Sequence, residues 1–289
     1  MVPLGLVEYS IVFVQTDDDE AAYKARFAGT PIRFQRAPEK GFAEVNHYLE
    51  HFFDVGTQVV VMHDDLTSIL KLEVAVGHAP SFKPLADKAA AEAMLDLAFS
   101  SLKKHGLKLG GVNTTQNALW ASSSAAAVSL DLKFIYDPLH FFISTKDTPK
   151  CVFKYFDDVE RTIYAYKRDG GVVRLNHFAM GTKHEPFNPK VVGGLAGERT
   201  REGAEEAAKR FEMEFKDYTN PFRRGAGGAL RVNLKRLPFQ PSLCRAWEVR
   251  ALGKSADPAA GKHLACPRER GRKRSADAVL SPRGNLLKR

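Results

Sequence analysis

Short apolar runs alternate along this chain with stretches whose apolar positions recur every three or four residues. "YSIVFV" (9–14) is the first run and ends at Gln15. "TDDDEAAYKARF" (16–27) opens with helix-capping residues, and "PIRFQ" (31–35) is a short extended piece. "EKGFAEVNHYLEHFF" (39–53) sets Phe42, Val45, Leu49 and Phe52 at helical spacing. "QVVVM" (58–62) reads as a strand that runs straight into His63, Asp64 and Asp65. Beyond it the pattern predicts a helix over 84–106 stopped by Gly106, a strand over 131–137 and a helix over 157–171. A strand over 172–178, a helix over 200–218 and a strand over 229–236 complete it. Unbroken apolar strands separated by helices predict an α/β chain with a mainly parallel, Rossmann-like sheet and helices on both faces.

Composition narrows the class. At 289 residues and 44% hydrophobic, the chain can bury a core as one large domain or two small ones. No apolar run approaches the ~20 residues that span a bilayer, so no membrane partner is expected. The stretch from Met1 to Leu6 lacks the charged and long apolar regions of a signal peptide. Cys151, Cys244 and Cys266 are odd in number, far apart and without CxxC spacing, which suits a reducing compartment and argues against a disulfide framework or zinc cluster. The expectation is a soluble intracellular protein.

Charge divides the chain in two. From Arg245 to Arg289 there are 12 Lys/Arg against 4 Asp/Glu, so this segment carries +8 of the total +9. It lacks periodic apolar spacing and holds "CPRERGRKRSADA" and "SPRGN". It reads as a disordered basic tail over 244–289 following a near-neutral domain over 1–243. Such a tail suits DNA or another polyanion as partner, the alternative being a solvated tail without a partner. "RGRKR" (270–274) resembles a nuclear localisation signal, which implies a nuclear location in a eukaryotic host.

Three acidic clusters carry the candidate chemistry. In open α/β sheets ligands bind beyond the carboxyl ends of strands, and His63-Asp64-Asp65 sits at such an end. Read as extended chain, positions 63 and 65 share a face, and His63 with Asp65 suits Mg²⁺ or Mn²⁺. Alternatively, Asp64 or Asp65 caps a turn. "TDDDE" (16–20) is explained by capping and the helix dipole, with Thr16 or Asp17 as N-cap. Asp157 and Asp158 open another helix, where they either cap it or supply a general base beside a cleft, at the mouth of the strand-like "KCVFKYF". His177 follows an extended run and could reach a metal. The Gly-rich "VVGGLAGERTRE" (191–202) could cradle a phosphate with Arg199 or Arg201 assisting, though it matches no nucleotide-binding fingerprint.

Taken in order, "YSIVFVQTDDDE", "RAPEKGFAEVNHYLEHFF" and "VVVMHDDLTS" resemble the first half of a GT-A glycosyltransferase. "LKFIYDPLHFF", "FKYFDDVERTIYAYKRDGGVVRLNHFA", "VVGGLAGERT" and "GGALRVNLKR" are similar to the branch associated with TET/JBP-type DNA base hydroxylases. The resemblance covers roughly residues 8–236, leaving the tail outside. It implies metal-dependent transfer from a UDP-sugar, UDP-glucose in the first place, to a hydroxymethylated pyrimidine in DNA. It implies that His63 and Asp65 hold Mn²⁺ or Mg²⁺, with Asp64 at the diphosphate. Asp158, with Asp157 beside it, takes the acceptor side as base. Gln15, Glu39, Lys40, Gly41 and Asn46 fall on the nucleotide-contacting half, and Gly193, Gly194 and Arg199 on a late loop that closes on the donor. His63 stands where the family has an acid, and Asp157 where it has Glu. The alternatives are a glycosyltransferase acting on a protein or small molecule, a nucleotidyltransferase, and a non-catalytic nucleic-acid-binding module on the same fold.

Overall fold

The computed structural model describes residues 6–37, 42–124, 126–182, 200–224 and 230–243. The calls on Glu39, Lys40, Gly41, Gly193, Gly194, Arg199 and the tail lie outside these residues. The chain is α/β, built on a seven-stranded mixed sheet. Its path is β3 (Gln58–Met62), β8 (Leu139–Ile143), β6 (Leu109–Asn113), β9 (Val173–Thr182), β4 (Leu66–Glu73) and β5 (Ser81–Pro84), with β7 (Val128–Ser129) also on β9. β1 (Ile11–Val14) and β2 (Arg33–Arg36) form a separate parallel pair, and β10 (Thr219–Arg224) with β11 (Leu230–Leu234) an antiparallel one.

The sequence pattern predicts a mainly parallel sheet, and the large sheet is not one. β6 and β9 run parallel, whereas β3–β8, β8–β6, β9–β4, β4–β5 and β7–β9 are antiparallel. Parallel neighbours need a long crossover, but antiparallel ones accept short turns. "LTSILKLE" follows the three residues 63–65 and "LHFFI" an irregular stretch over 130–138, so neither strand has a helix just before it to announce it. The expected strand over 131–137 is not one. There the Ile135 N–H donates to Thr162 Oγ1 (3.2 Å) and the Leu132 N–H to the Leu237 carbonyl (2.9 Å), so no ladder forms. "KCVFKYF" is likewise irregular up to its last residues.

Helices do cover both faces. α3 (Lys88–His105) packs Ala91, Met94, Ala98 and Leu102 against Leu139, Phe141, Val173 and Leu175. On the other face, Leu49 of α2 (Phe42–Phe52) and Ala165 of α5 (Asp157–Asp169) meet Val59, Val61, Leu109 and Phe142. The alternation of Phe141 and Phe142 between these two cores is the period-two side-chain pattern of a strand buried on both faces. A third aromatic core joins α5 to α6 (Arg201–Glu214) and to the β10–β11 hairpin through Phe153, Phe156, Ile163, Phe211 and Phe215. α1 (Asp17–Arg26) lies outside with no buried residue, and α4 (Ala118–Ser122) is a single short turn. In α1 the Thr16 hydroxyl accepts from the Asp19 N–H at 3.0 Å, so the acidic run is a capped helix start.

Candidate functional site at the carboxyl end of the sheet

The ladder directions place the carboxyl ends of β3, β6 and β9 at one end of the sheet. α5 returns to β9 through Gly170-Gly171, so its first turn lies at that same end. β3 and β4 are four ladder steps apart, roughly 19 Å in a flat sheet. Yet only three residues join them, and an extended Met62–Leu66 segment spans about 14 Å. The sheet therefore curls, and His63-Asp64-Asp65 bridges strands that flat geometry would keep apart.

This bridge is a tight turn. The Leu66 N–H donates to the His63 carbonyl at 3.2 Å, which puts Asp64 and Asp65 at its two central positions. The extended reading that paired residues 63 and 65 on one face does not apply to a turn. The His63 N–H donates to the Pro138 carbonyl at 3.1 Å, anchoring the turn beside Asp137. Asp64 is exposed and accepts from the Tyr23 hydroxyl at 3.3 Å. Burial, followed by the charge of Asp64, pushes the Tyr23 hydroxyl above its ordinary value, so it stays a donor. α1 is thereby tied to the acidic turn. Exposed Gln15 lies at the end of β1, where its carbonyl accepts from Arg36 (3.3 Å) and Arg36 also pairs with Asp17.

Behind the turn sits a buried polar network that the sequence pattern does not reveal. Asn46 Nδ2 donates to Asp137 Oδ2 at 3.0 Å, and Arg161 donates to Asp137 Oδ1. Arg161 Nη1 lies 2.8 Å from His140 Nε2, and His140 Nδ1 lies 2.8 Å from the Asp137 carbonyl. A guanidinium only donates and a carbonyl only accepts, so His140 is the neutral tautomer with its proton on Nδ1. Burial and then the Arg161 charge drive the His140 value well down, in keeping with that tautomer. Asn46 is thus committed to the interior. The available sequence signals were an acid followed by proline ahead of "LHFF", and an arginine four residues after Asp157 on one helix face.

Asp157 and Asp158 occupy the first turn of α5, but neither is the N-cap, which is Phe156 without a side-chain cap. Asp157 is buried, and its backbone carbonyl accepts from the Cys151 thiol at 3.4 Å. Burial and nearby carboxylates push that thiol up, leaving an inert cysteine. Asp158 is half-buried and accepts from the Val159 N–H at 2.8 Å. Its carboxyl is held well above the ordinary aspartate range by burial first, then by the charges of Asp137 and Asp157, against the opposing pull of Arg161. Glu160 clamps the preceding loop, accepting from the Val152 and Phe153 N–H groups and the Tyr164 hydroxyl, each at 2.9 Å.

The proposed metal residues divide. His177 lies on β9 with Nε2 3.4 Å from the Ser124 carbonyl. Among the described residues no three His, Cys, Asp or Glu side chains gather as a metal site, so His63, Asp65 and His177 are not one ligand set. His63 and Asp65 stand at the first and third positions of the turn, and of the two Asp65 brings the oxygen donor that suits Mg²⁺ or Mn²⁺, whose other ligands would be waters and phosphate oxygens. Comparison with family models, curated proteins and solved structures finds no match to this chain.

Proposed function

We propose that the chain is a GT-A-type glycosyltransferase. It moves a sugar from a UDP-sugar, UDP-glucose by resemblance, to the hydroxyl of a hydroxymethylated pyrimidine in DNA. The observation that carries this reading is Asp158, a carboxyl held above its usual range at the end of the sheet that also bears the His63–Asp65 turn. A base works best when its pKa approaches the operating pH, and burial beside two other carboxylates moves Asp158 in that direction. In this reading Asp158 takes the proton of the acceptor hydroxyl as that oxygen bonds to the anomeric carbon. The bond from that carbon to the diphosphate breaks, and UDP leaves with the electron pair. Burial first, and then the charge of Asp137, itself fixed by Asn46 and Arg161, keeps the Asp158 carboxyl raised. In this reading the Tyr23–Asp64 hydrogen bond lies on the nucleotide side. A divalent ion held by His63 and Asp65 would supply neutralisation of charge on the departing diphosphate.

The test is a donor-hydrolysis screen across UDP-, GDP- and TDP-sugars with Mn²⁺ and Mg²⁺. Metal-stimulated hydrolysis of a UDP-sugar is expected, and calorimetry should find metal-dependent UDP binding lost in Asp65→Asn. Unchanged binding in that variant removes the metal assignment. The non-catalytic nucleic-acid-binding reading draws on Asn46, whose side chain serves the buried network instead of a ligand. No hydrolysis of any donor, with DNA binding retained, would favour it.

A further inference from the structure

α2 and α5 meet around a small polar pocket. Its lining includes Glu50 from α2, Arg161 and Arg168 from α5, Thr145 and Thr148 from the loop after β8, and Lys108. The free volume is about 10 Å³, room for one water molecule. Glu50 is 5% exposed and Arg161 3%. Among the described residues, Glu50 Oε2 and Arg161 Nε meet no hydrogen-bonding group of the protein. One is an acceptor and the other a donor, and both residues line this pocket.

Size and hydrogen-bonding character decide what fits between them. Arg161 is paired with Asp137, and Arg168 with Asp169 through Nε and Nη2, each at 2.7 Å. An occupant has to donate to one atom and accept from the other, and the volume admits only water. The helix geometry agrees. Asn46 and Glu50 are one turn apart on the same face of α2, and Asn46 already grasps Asp137, the partner of Arg161.

We propose that this pocket holds one resident water, which donates to Glu50 Oε2 and accepts from Arg161 Nε. It closes a hydrogen-bonded ring through Asp137 and Asn46 that locks α2 to α5. Without it, a buried carboxylate oxygen and a buried guanidinium N–H would both lose hydration without return. The ring stands whatever reaction the protein performs. It also holds Asp137 in place next to the first turn of α5.

The experiment uses the ¹⁵N-labelled full-length chain and reads the Arg161 Nε–H signal for cross-relaxation with water. A cross-peak of the sign given by a long-lived bound water is expected in the wild type. Glu50→Gln keeps an acceptor and should retain it. Glu50→Met removes the acceptor and fills the space, so the cross-peak should vanish and Tm fall by several degrees. A wild-type protein without the cross-peak, or a Glu50→Met protein that keeps it unchanged, overturns the proposal. Should Glu50→Met fail to fold, a crystal structure decides. Solvent density within hydrogen-bonding distance of both atoms supports the water, and a direct Glu50–Arg161 contact excludes it.

Discussion

Asp158 sets stability against the proposed chemistry. Its carboxyl is raised by burial and by Asp137 and Asp157, while Arg161 and the Val159 N–H act the other way. A carboxyl whose folded-state value lies above its unfolded value stabilises the fold at pH below the ordinary aspartate value. That contribution is lost as the pH rises through the raised value. At neutral pH the charged carboxylate therefore weighs against folding. Asp158→Asn should raise Tm at pH 7, with the gain shrinking as the pH falls toward 4. The same variant should lower turnover by about 10²–10⁴-fold with donor affinity unchanged, the mark of an interaction used in the transition state. Wild-type kcat/KM should rise with pH through the raised value. A variant that binds donor poorly but turns over normally would move Asp158 to the donor side. Arg161 is the opposite case, since it is the charge partner of buried Asp137. Arg161→Met should cost about 3–5 kcal/mol in denaturant unfolding, because it strands a buried carboxylate. Adding Asp137→Asn to it should recover a large part of that loss, and a purely additive double variant would show that the two residues do not act as a pair.

At the scale of elements, α5 organises the molecule, and it was legible in outline. Its start at Asp157 and its glycine stop follow from acids in the first turn and Gly170-Gly171 behind. Gly170 has φ +78°, and a Cβ there would lie 2.1 Å from the Gln240 carbonyl oxygen. Gly170→Ala should therefore destabilise by more than about 1 kcal/mol, measured by urea unfolding. A neutral result would mean that the Gln240 segment yields easily. What sequence reasoning missed has a common cause. β6 reads "LGGVN", and its two glycines carry no strand signal; at Gly110 an added Cβ would lie 2.2 Å from the Phe141 ring, so the absence of a side chain lets that ring lie against the backbone. β4 follows a three-residue turn and β8 an irregular stretch over 130–138, with no helix just before either, so a search for strand–helix alternation passes over them. The candidate site was legible at Asp158 and at the His63–Asp65 turn, whose residues announce themselves by type. Asp137, His140 and Arg161 were not, because their network exists only through partners brought together in space, and an isolated Asp, His or Arg has no periodicity to read.

At the scale of the whole molecule, the fold extends past its last strand. Leu237 accepts from the Leu132 N–H at 2.9 Å, Pro238 accepts from the Tyr166 hydroxyl at 2.6 Å, and the Gln240 N–H donates to the Gly170 carbonyl at 2.8 Å. This strap binds the end of β11 back to the C-terminus of α5, so a truncation has to begin after Leu243. The segment 245–289 carries +8 and the rest of the chain +1, which separates the electrostatics from the proposed chemistry. Basic residues on a tail bind a polyanion chiefly by releasing counterions, with log K falling by about 0.9 per unit log salt for each phosphate neutralised. Deleting 244–289 should weaken binding to DNA of arbitrary sequence and make its salt dependence shallower by several such steps. Donor hydrolysis should survive, because Asp158, the His63–Asp65 turn and the Leu237–Leu243 strap are all retained. Binding measured against salt concentration for both proteins checks this. Equal slopes would take the tail off the DNA and leave the body, with exposed Arg223 and Arg224 on β10, to make the phosphate contacts.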